Sequence, residues 1–315
     1  VIYTSCQAGR FGRAVLQRKD AMHTINQTYG KRARFDIDRG MTEDEIRKAA
    51  PSVFAVTAHD SRSERFQPIP TIEVLRGLRK EGFEVVGARQ STTRVDGKEN
   101  FTKHLIRLRR MDNVEAYKVG DTVAEMLLKN ANDGTSVYDL FAGLFRIRCL
   151  NSMVTDLGSI DSVKVRHTGR DIQDRVIEGT FTVMEKAKLA LAAPQDWSTV
   201  ELNRDERMAF AEAAHVLRFA DAEGNVDTPI KPEQLLQVRR ADDNERNLWT
   251  DFNVVQENVI RGGLKGRVPA TGGGTRRMST RGINGIDQDV RLNKALWVLG
   301  QRMAALKGVE VKTAA

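Results

Sequence analysis

Several groups of residues have the types and spacing that chemistry uses. His59-Asp60 has the pairing found in metal-dependent phosphohydrolases. A metal centre of that kind needs further ligands at spacings that bring them together, and the five histidines (His23, His59, His104, His167, His215) are scattered. Asp36-x-Asp38 and Asp287-x-Asp289 are close carboxylate pairs, and the second falls at the start of an expected helix, where the macrodipole already accounts for acids. Gly272-Gly273-Gly274 is followed by no Gly-Lys-Ser/Thr and preceded by no expected strand, so it does not match the phosphate loop of nucleotide hydrolases. No Gly-x-Ser-x-Gly, His-Glu-x-x-His or dinucleotide fingerprint is present. The expectation is a non-enzymatic protein with no cofactor and no metal.

The chemistry that remains is electrostatic. Lys103, Arg107 and Arg109 recur at period two along one expected strand, with Arg89 and Arg94 just before it. Lys265, Arg267, Arg276, Arg277 and Arg281 fall in a Gly-rich stretch, 261–286, that contains no acid. Arg62 and Arg65, beside Ser61 and Ser63, supply guanidinium and hydroxyl donors that suit phosphates or serve equally as solvated loop residues. These twelve cations are the candidate nucleic-acid contacts. The chain of 315 residues has a formal net charge of +8. From Asn258 onward eleven basic residues face three acidic ones, so the surplus of eight lies entirely in that segment. Such a bias points to a polyanionic partner, while an aromatic content of 6% argues for a grip on the backbone and not for base stacking.

The elements that must position these residues follow from periodicity and punctuation. Residues 1–40 read as a flexible basic arm, and Thr42 with Glu45 forms a capping box for a helix over 43–50 that Pro51 stops. Residues 52–58 read as an extended segment. After Pro70, with Thr71 as N-cap, Ile72, Leu75, Leu78 and Arg79 recur at helical spacing up to Gly82. Phe83, Val85 and Val86 open a strand, Asp96-Gly97 marks a turn, and residues 101–110 form a second strand with His104, Ile106 and Leu108 on the face opposite the cations. A third strand over 122–130 and a helix over 136–148, burying Leu140, Phe141, Leu144, Phe145 and Ile147, complete an α-β-β-β-α unit. A short strand over 162–167 precedes a largely helical region. Its helices are expected over 171–191, 205–219, 232–236 and 247–260, the last amphipathic. The basic stretch 261–286 reads as a flexible loop, followed by a terminal helix over 287–306.

The fold class is therefore α+β, a small antiparallel sheet with packed helices over 41–168 followed by a helical region over 169–315. Cys6 and Cys149 are too few for a disulfide framework, no apolar run suits a membrane span or signal peptide, and a reducing cytoplasm is the expected compartment.

The runs MTEDEIRKAAPSVFAVTAHDSRSERFQPIPTIEVLRGLRKEGF, DGTSVYDLFAGLFRIRCLNSMV and GIDQDVRLNKALWVLGQRMAALKG resemble a phage- and plasmid-like domain-of-unknown-function family of mobile elements. The likeness covers about Phe35 to Gly308 and implies a mobile-element setting and a bacterial cytoplasm without implying an activity. In pattern, the α-β-β-β-α unit with its basic hairpin also resembles the core of single-strand annealing recombinases of the Red-beta and Erf type. That resemblance implies a ring or helical homo-oligomer that holds single-stranded DNA in a basic groove and anneals it without ATP. The alternatives are a non-catalytic protein that binds a host factor and a metal-dependent nuclease.

Overall fold

The computed structural model describes residues 34–35, 39–63, 66–111, 122–146, 153–154, 163–165 and 172–309. The expected arm, Arg65, Cys6, Cys149, His23, His167, Asp36, Asp38, Ile147 and Arg148 lie outside them, apart from the short strand at 34–35 and Arg39-Gly40. The elements run, in order, β1 (Arg34–Phe35), α1 (Glu43–Ala49), α2 (Thr71–Lys80), β2 (Phe83–Gln90), β3 (His104–Arg110), β4 (Thr122–Asn130), β5 (Tyr138–Arg146), β6 (Met153–Val154) and β7 (Val163–Val165). They continue with α3 (Ile172–Ala190), α4 (Ala193–Ser198), α5 (Arg204–Phe219), α6 (Leu248–Arg261), β8 (Lys265–Pro269), β9 (Thr275–Ser279) and α7 (Ile286–Leu306). The fold is α+β. Its sheet is antiparallel in the order β1-β2-β3-β4-β5-β6, with β7 also on β5, and β8 and β9 form a separate two-stranded sheet among the described residues.

Local chemistry explains the boundaries. Thr42 and Glu45 form the capping box of α1, and Asn203 with Glu206 forms another on α5. Pro70, not Thr71, occupies the N-cap of α2. Thr71 is the first helical residue, and its hydroxyl is spent elsewhere. It meets His104 Nε2 at 2.9 Å, Asn130 Nδ2 at 3.1 Å and the Tyr138 hydroxyl at 2.7 Å, while Ser52 Oγ meets His104 Nδ1 at 2.9 Å. This buried polar network ties α2 and the turn before it to three adjacent strands. Burial pushes the Tyr138 hydroxyl's pKa upward, against the smaller opposing effect of its bond to Thr71.

Three expectations are corrected. Within the segment expected as a helix over 136–148, residues 138–146 form β5, paired with β4 from Asp139 to Arg146. Leu140, Phe141, Leu144 and Phe145 have spacings that fit a helix face, but here they alternate between two covered faces of the sheet. The segment expected as extended over 52–58 instead opens with a 3-10 turn, Pro51–Phe54, which proline at the first position favours. The basic stretch 261–286 is a β-hairpin and not a structureless loop. Gly266, Val268 and Met278 share its inner face, Met278 packs on the helical core, and a Cβ at Gly266 would come within 2.8 Å of Pro229. Only a few small or apolar residues were needed to seat it.

The sheet is covered on both faces. On one side Ile106, Leu108, Met126, Leu128, Leu140 and Ala142 pack with Ile72, Leu75 and Leu78 of α2 and with Val176 and Val183 of α3. On the other side Leu105, Val123, Leu127, Phe141 and Phe145 meet Ile286 and Val290 at the start of α7. A second core forms among the later helices around Trp197, Phe252 and Trp297. The helix α6 lies at its centre. The sequence suggests an amphipathic element there, but every residue from Leu248 to Ile260 is buried.

Candidate nucleic-acid interface

The cations expected to form one binding face divide into two groups. The first group is turned inward. Register places Arg107 and Arg109 on the same face as Leu105, as the alternation indicates, yet both are buried, with relative exposures of 8% and 3%. Between them lies Glu125 of β4, itself wholly buried. Arg107 Nε is 2.6 Å from its Oε2, Arg109 Nε is 3.0 Å from its Oε1, and the Arg107 guanidinium stacks 3.6 Å over the Phe145 ring. The expectation of an exposed basic strand is therefore corrected. A carboxylate with no exposure needs a compensating charge, and the strand supplies two.

The same holds toward the other end of that face. Arg89 is ion-paired with Asp289, and Lys103 with Asp287, which also meets Lys129 Nζ at 3.2 Å. The D-x-D pair at the start of α7 thus pins the helix onto β2, β3 and β4. Burial would raise the Asp287 pKa, but hydrogen bonds and charge from Lys103 and Lys129 hold it below the ordinary value. Asp289 is pushed upward by its complete burial, which outweighs Arg89 and Asn293.

The second group is outward. Arg94 is exposed on the loop between β2 and β3 and makes no ion pair among the described residues. Arg62 is exposed as well, its Nε 3.3 Å from Ser61 Oγ, in a turn where His59 bonds Ser61 at 2.9 Å. The main concentration is the hairpin. Lys265, Arg267, Arg276, Arg277 and Arg281 are all exposed, and none makes an ion pair among the described residues. Arg267 lies directly opposite Arg277, and Lys265 lies two residues along on the same outer face. Like charges opposed across a two-stranded ribbon destabilise it, so the pattern opposes local stability. At the tip Gly272, Gly273 and Gly274 have φ values of 101°, 96° and 78°, and a Cβ on any of them would meet no atom within 4 Å. Although the strand β8 does precede these glycines, they end a hairpin and no Gly-Lys-Ser/Thr follows.

Sequence reasoning missed the helix-side arginines that accompany the hairpin. Arg239 donates to the Gly262 carbonyl at 2.5 Å and Arg218 to the Arg281 carbonyl at 3.0 Å, on either side of the hairpin's root. Their signal in sequence was slight, since each stands in an ordinary helix end or turn. Among the described residues no group of three or more His, Cys, Asp or Glu could hold a metal ion, and no helix is long and apolar enough to cross a membrane.

Comparison with known proteins gives a consistent result. The chain is similar to two proteins of Escherichia coli (strain K12), UPF0380 protein YafZ and UPF0380 protein YfjQ. Each is 38% identical over 296 residues, which cover 94% of this chain and 97% of the relative. No solved structure matches. A family model, Domain of unknown function (DUF932), matches residues 58–297, a span that takes in strands β2 to β7 of the sheet, the buried helix α6, the hairpin and the first half of α7, and the chain belongs to that family.

Proposed function

We propose that this protein binds single-stranded nucleic acid, DNA in the first instance, through the sugar-phosphate backbone, with the β8–β9 hairpin as its principal contact. One observation carries the reading: five exposed cations share a hairpin that holds no acid, two of them opposed across the strands. Phosphates spaced along a strand would relieve that repulsion, and guanidinium groups bind them bidentately. No tryptophan, tyrosine or phenylalanine lies between Gly262 and Gly285, so recognition by base stacking is not supplied there. Annealing of complementary strands by several copies of the chain, in a mobile-element setting and without nucleotide or metal, extends this reading. That extension rests on the charge of the β8–β9 hairpin and not on an α-β-β-β-α pattern, since the last element of that unit is the strand β5.

The test is fluorescence anisotropy with labelled single-stranded and duplex oligonucleotides across a salt series of roughly 50 to 200 mM. Binding should weaken linearly on a logarithmic plot, with a slope of about 0.7 per phosphate neutralised on single strands. Arg267→Ala with Arg277→Ala should flatten that slope and weaken binding to all sequences alike. Unchanged affinity and slope in that variant would remove the hairpin from the site. Preference for duplex would move the reading to double-stranded nucleic acid. A strand-pairing assay with complementary oligonucleotides, run beside light scattering, checks annealing and assembly. A monomer with and without oligonucleotide would remove the assembly step.

A further inference from the structure

The hairpin that carries the cations is self-repelling, and its direction depends both on the packing of Gly266 and Met278 and on how its root is held. The chain enters it through Gly262 and Gly263, whose φ values are 65° and 80°, and leaves it through 280–282. The two arms of the root touch: a Cβ at Gly262 would come within 2.7 Å of the Arg281 carbonyl group. Backbone bonds join them, Gly263 N–H donating to Thr280 O at 2.8 Å and Thr280 N–H to Leu264 O at 2.9 Å. Two backbone carbonyls of this root, Gly262 O and Arg281 O, accept from side chains that lie outside the hairpin. Each receives a guanidinium, Arg239 from the segment before α6 and Arg218 from the last turn of α5. Neither arginine makes an ion pair among the described residues. Their neighbours Arg240 and Arg261 both bond Glu257, so the buried acid nearest the root is already engaged.

We propose that Arg218 and Arg239 are positioning residues that clamp the two ends of the hairpin root and hold the phosphate-binding ribbon in a fixed direction. This rests on the nucleic-acid reading for its consequence in binding, but the clamp itself is a property of the free protein. A guanidinium reaches the carbonyl with a terminal N–H, and a shorter ammonium retains the charge while losing that reach and its planar geometry. When the clamp is lost the hairpin samples more directions, and binding must first restrict them. The cost is an entropic one that salt does not change. Loss of a phosphate contact has a different signature, because it changes the number of counterions released.

The experiment compares the wild type with Arg218→Lys/Arg239→Lys and with Arg267→Ala/Arg277→Ala, by hydrogen exchange of the free proteins and by anisotropy with a labelled single-stranded oligonucleotide. In the lysine variant the amides of 263–268 and 276–280 should exchange roughly tenfold faster, while those of α6 keep their wild-type rates. Its affinity should fall several-fold at every salt concentration, with the wild-type slope. The Arg267→Ala/Arg277→Ala variant should do the reverse, flattening the slope and leaving hairpin exchange no faster. Unchanged exchange in the lysine variant would overturn the clamp whatever the binding result. Faster exchange with a flattened slope would overturn the pure positioning role and make the two arginines phosphate contacts. If the wild type shows no salt-dependent binding, the functional reading fails while the exchange comparison still decides the clamp.

Discussion

At the scale of single residues, the deciding feature is where the acids lie. Glu125 receives both arginines of its neighbouring strand and has no exposure. Arg109→Ala should therefore cost about 2–3 kcal/mol, because the carboxylate keeps only Arg107 of the two and cannot reach water. Replacing all three by apolar residues, Arg107→Leu, Glu125→Met and Arg109→Leu, should recover most of that loss. Urea unfolding checks both, and an Arg109→Ala midpoint close to wild type would refute the buried-charge account. A second residue-scale prediction concerns Glu45. Hydrogen bonding to Arg39, assisted by the Thr42 backbone N–H, lowers its pKa to about 2. Because the folded value lies below the ordinary one, its contribution to stability is present above about pH 4.5 and is lost as pH falls towards 2. Arg39→Ala should return the titration midpoint of Glu45 most of the way to the ordinary value, as read by NMR. The Arg39–Glu45 pair is partly exposed, so little change in overall stability should follow.

At the scale of elements, packing decides what propensity cannot. The third prediction is made on α7, where Gly300 faces the Trp197 ring. A Cβ there would approach Trp197 Cη2 to 2.6 Å, and that ring is itself held between Phe252 and Trp297. Gly300→Ala raises helix propensity yet should destabilise by about 1–3 kcal/mol through overpacking, measurable by thermal or denaturant unfolding. A stabilised variant would mean that the aromatic cluster repacks freely. The same competition explains which elements were legible. Capping boxes and proline stops placed α1 and α2 closely, and alternation assigned Arg107 and Arg109 to one face of β3 correctly, while Lys103 stands just before that strand. It could not say what covers that face. The partners are Glu125, sixteen to eighteen residues away along the chain, and Asp287 and Asp289, which are 184 and 200 residues from Lys103 and Arg89. Nothing local to β3 announces them. Likewise the segment 138–146 is apolar on both faces, so its period cannot tell a strand from a helix, and only pairing with β4 settles the matter.

At the scale of the whole molecule, folding sharpens the charge asymmetry that the sequence already shows. The C-terminal surplus counts three acids against eleven bases, but two of those acids, Asp287 and Asp289, are bound to Arg89, Lys103 and Lys129 of the sheet. They neutralise cations on β2, β3 and β4 and leave the hairpin bases without acidic partners. The sheet's basic face and the hairpin are thus not one continuous surface. The first is part of the fold's interior and the second is available to a polyanion. A hairpin variant carrying Lys265→Gln, Arg267→Gln, Arg276→Gln and Arg277→Gln separates the two roles. These side chains are exposed and Arg267 opposes Arg277, so the substitutions should leave the unfolding temperature unchanged or slightly raised. If all four hold phosphates of a single strand, the salt slope should shrink by about 2.8, four times the single-contact value, with affinity at low salt falling by orders of magnitude. In contrast, Lys103→Gln should lower stability modestly through Asp287 and leave the slope intact. Equal slopes in the wild type and the four-site variant would show that binding, if present, takes place on another surface.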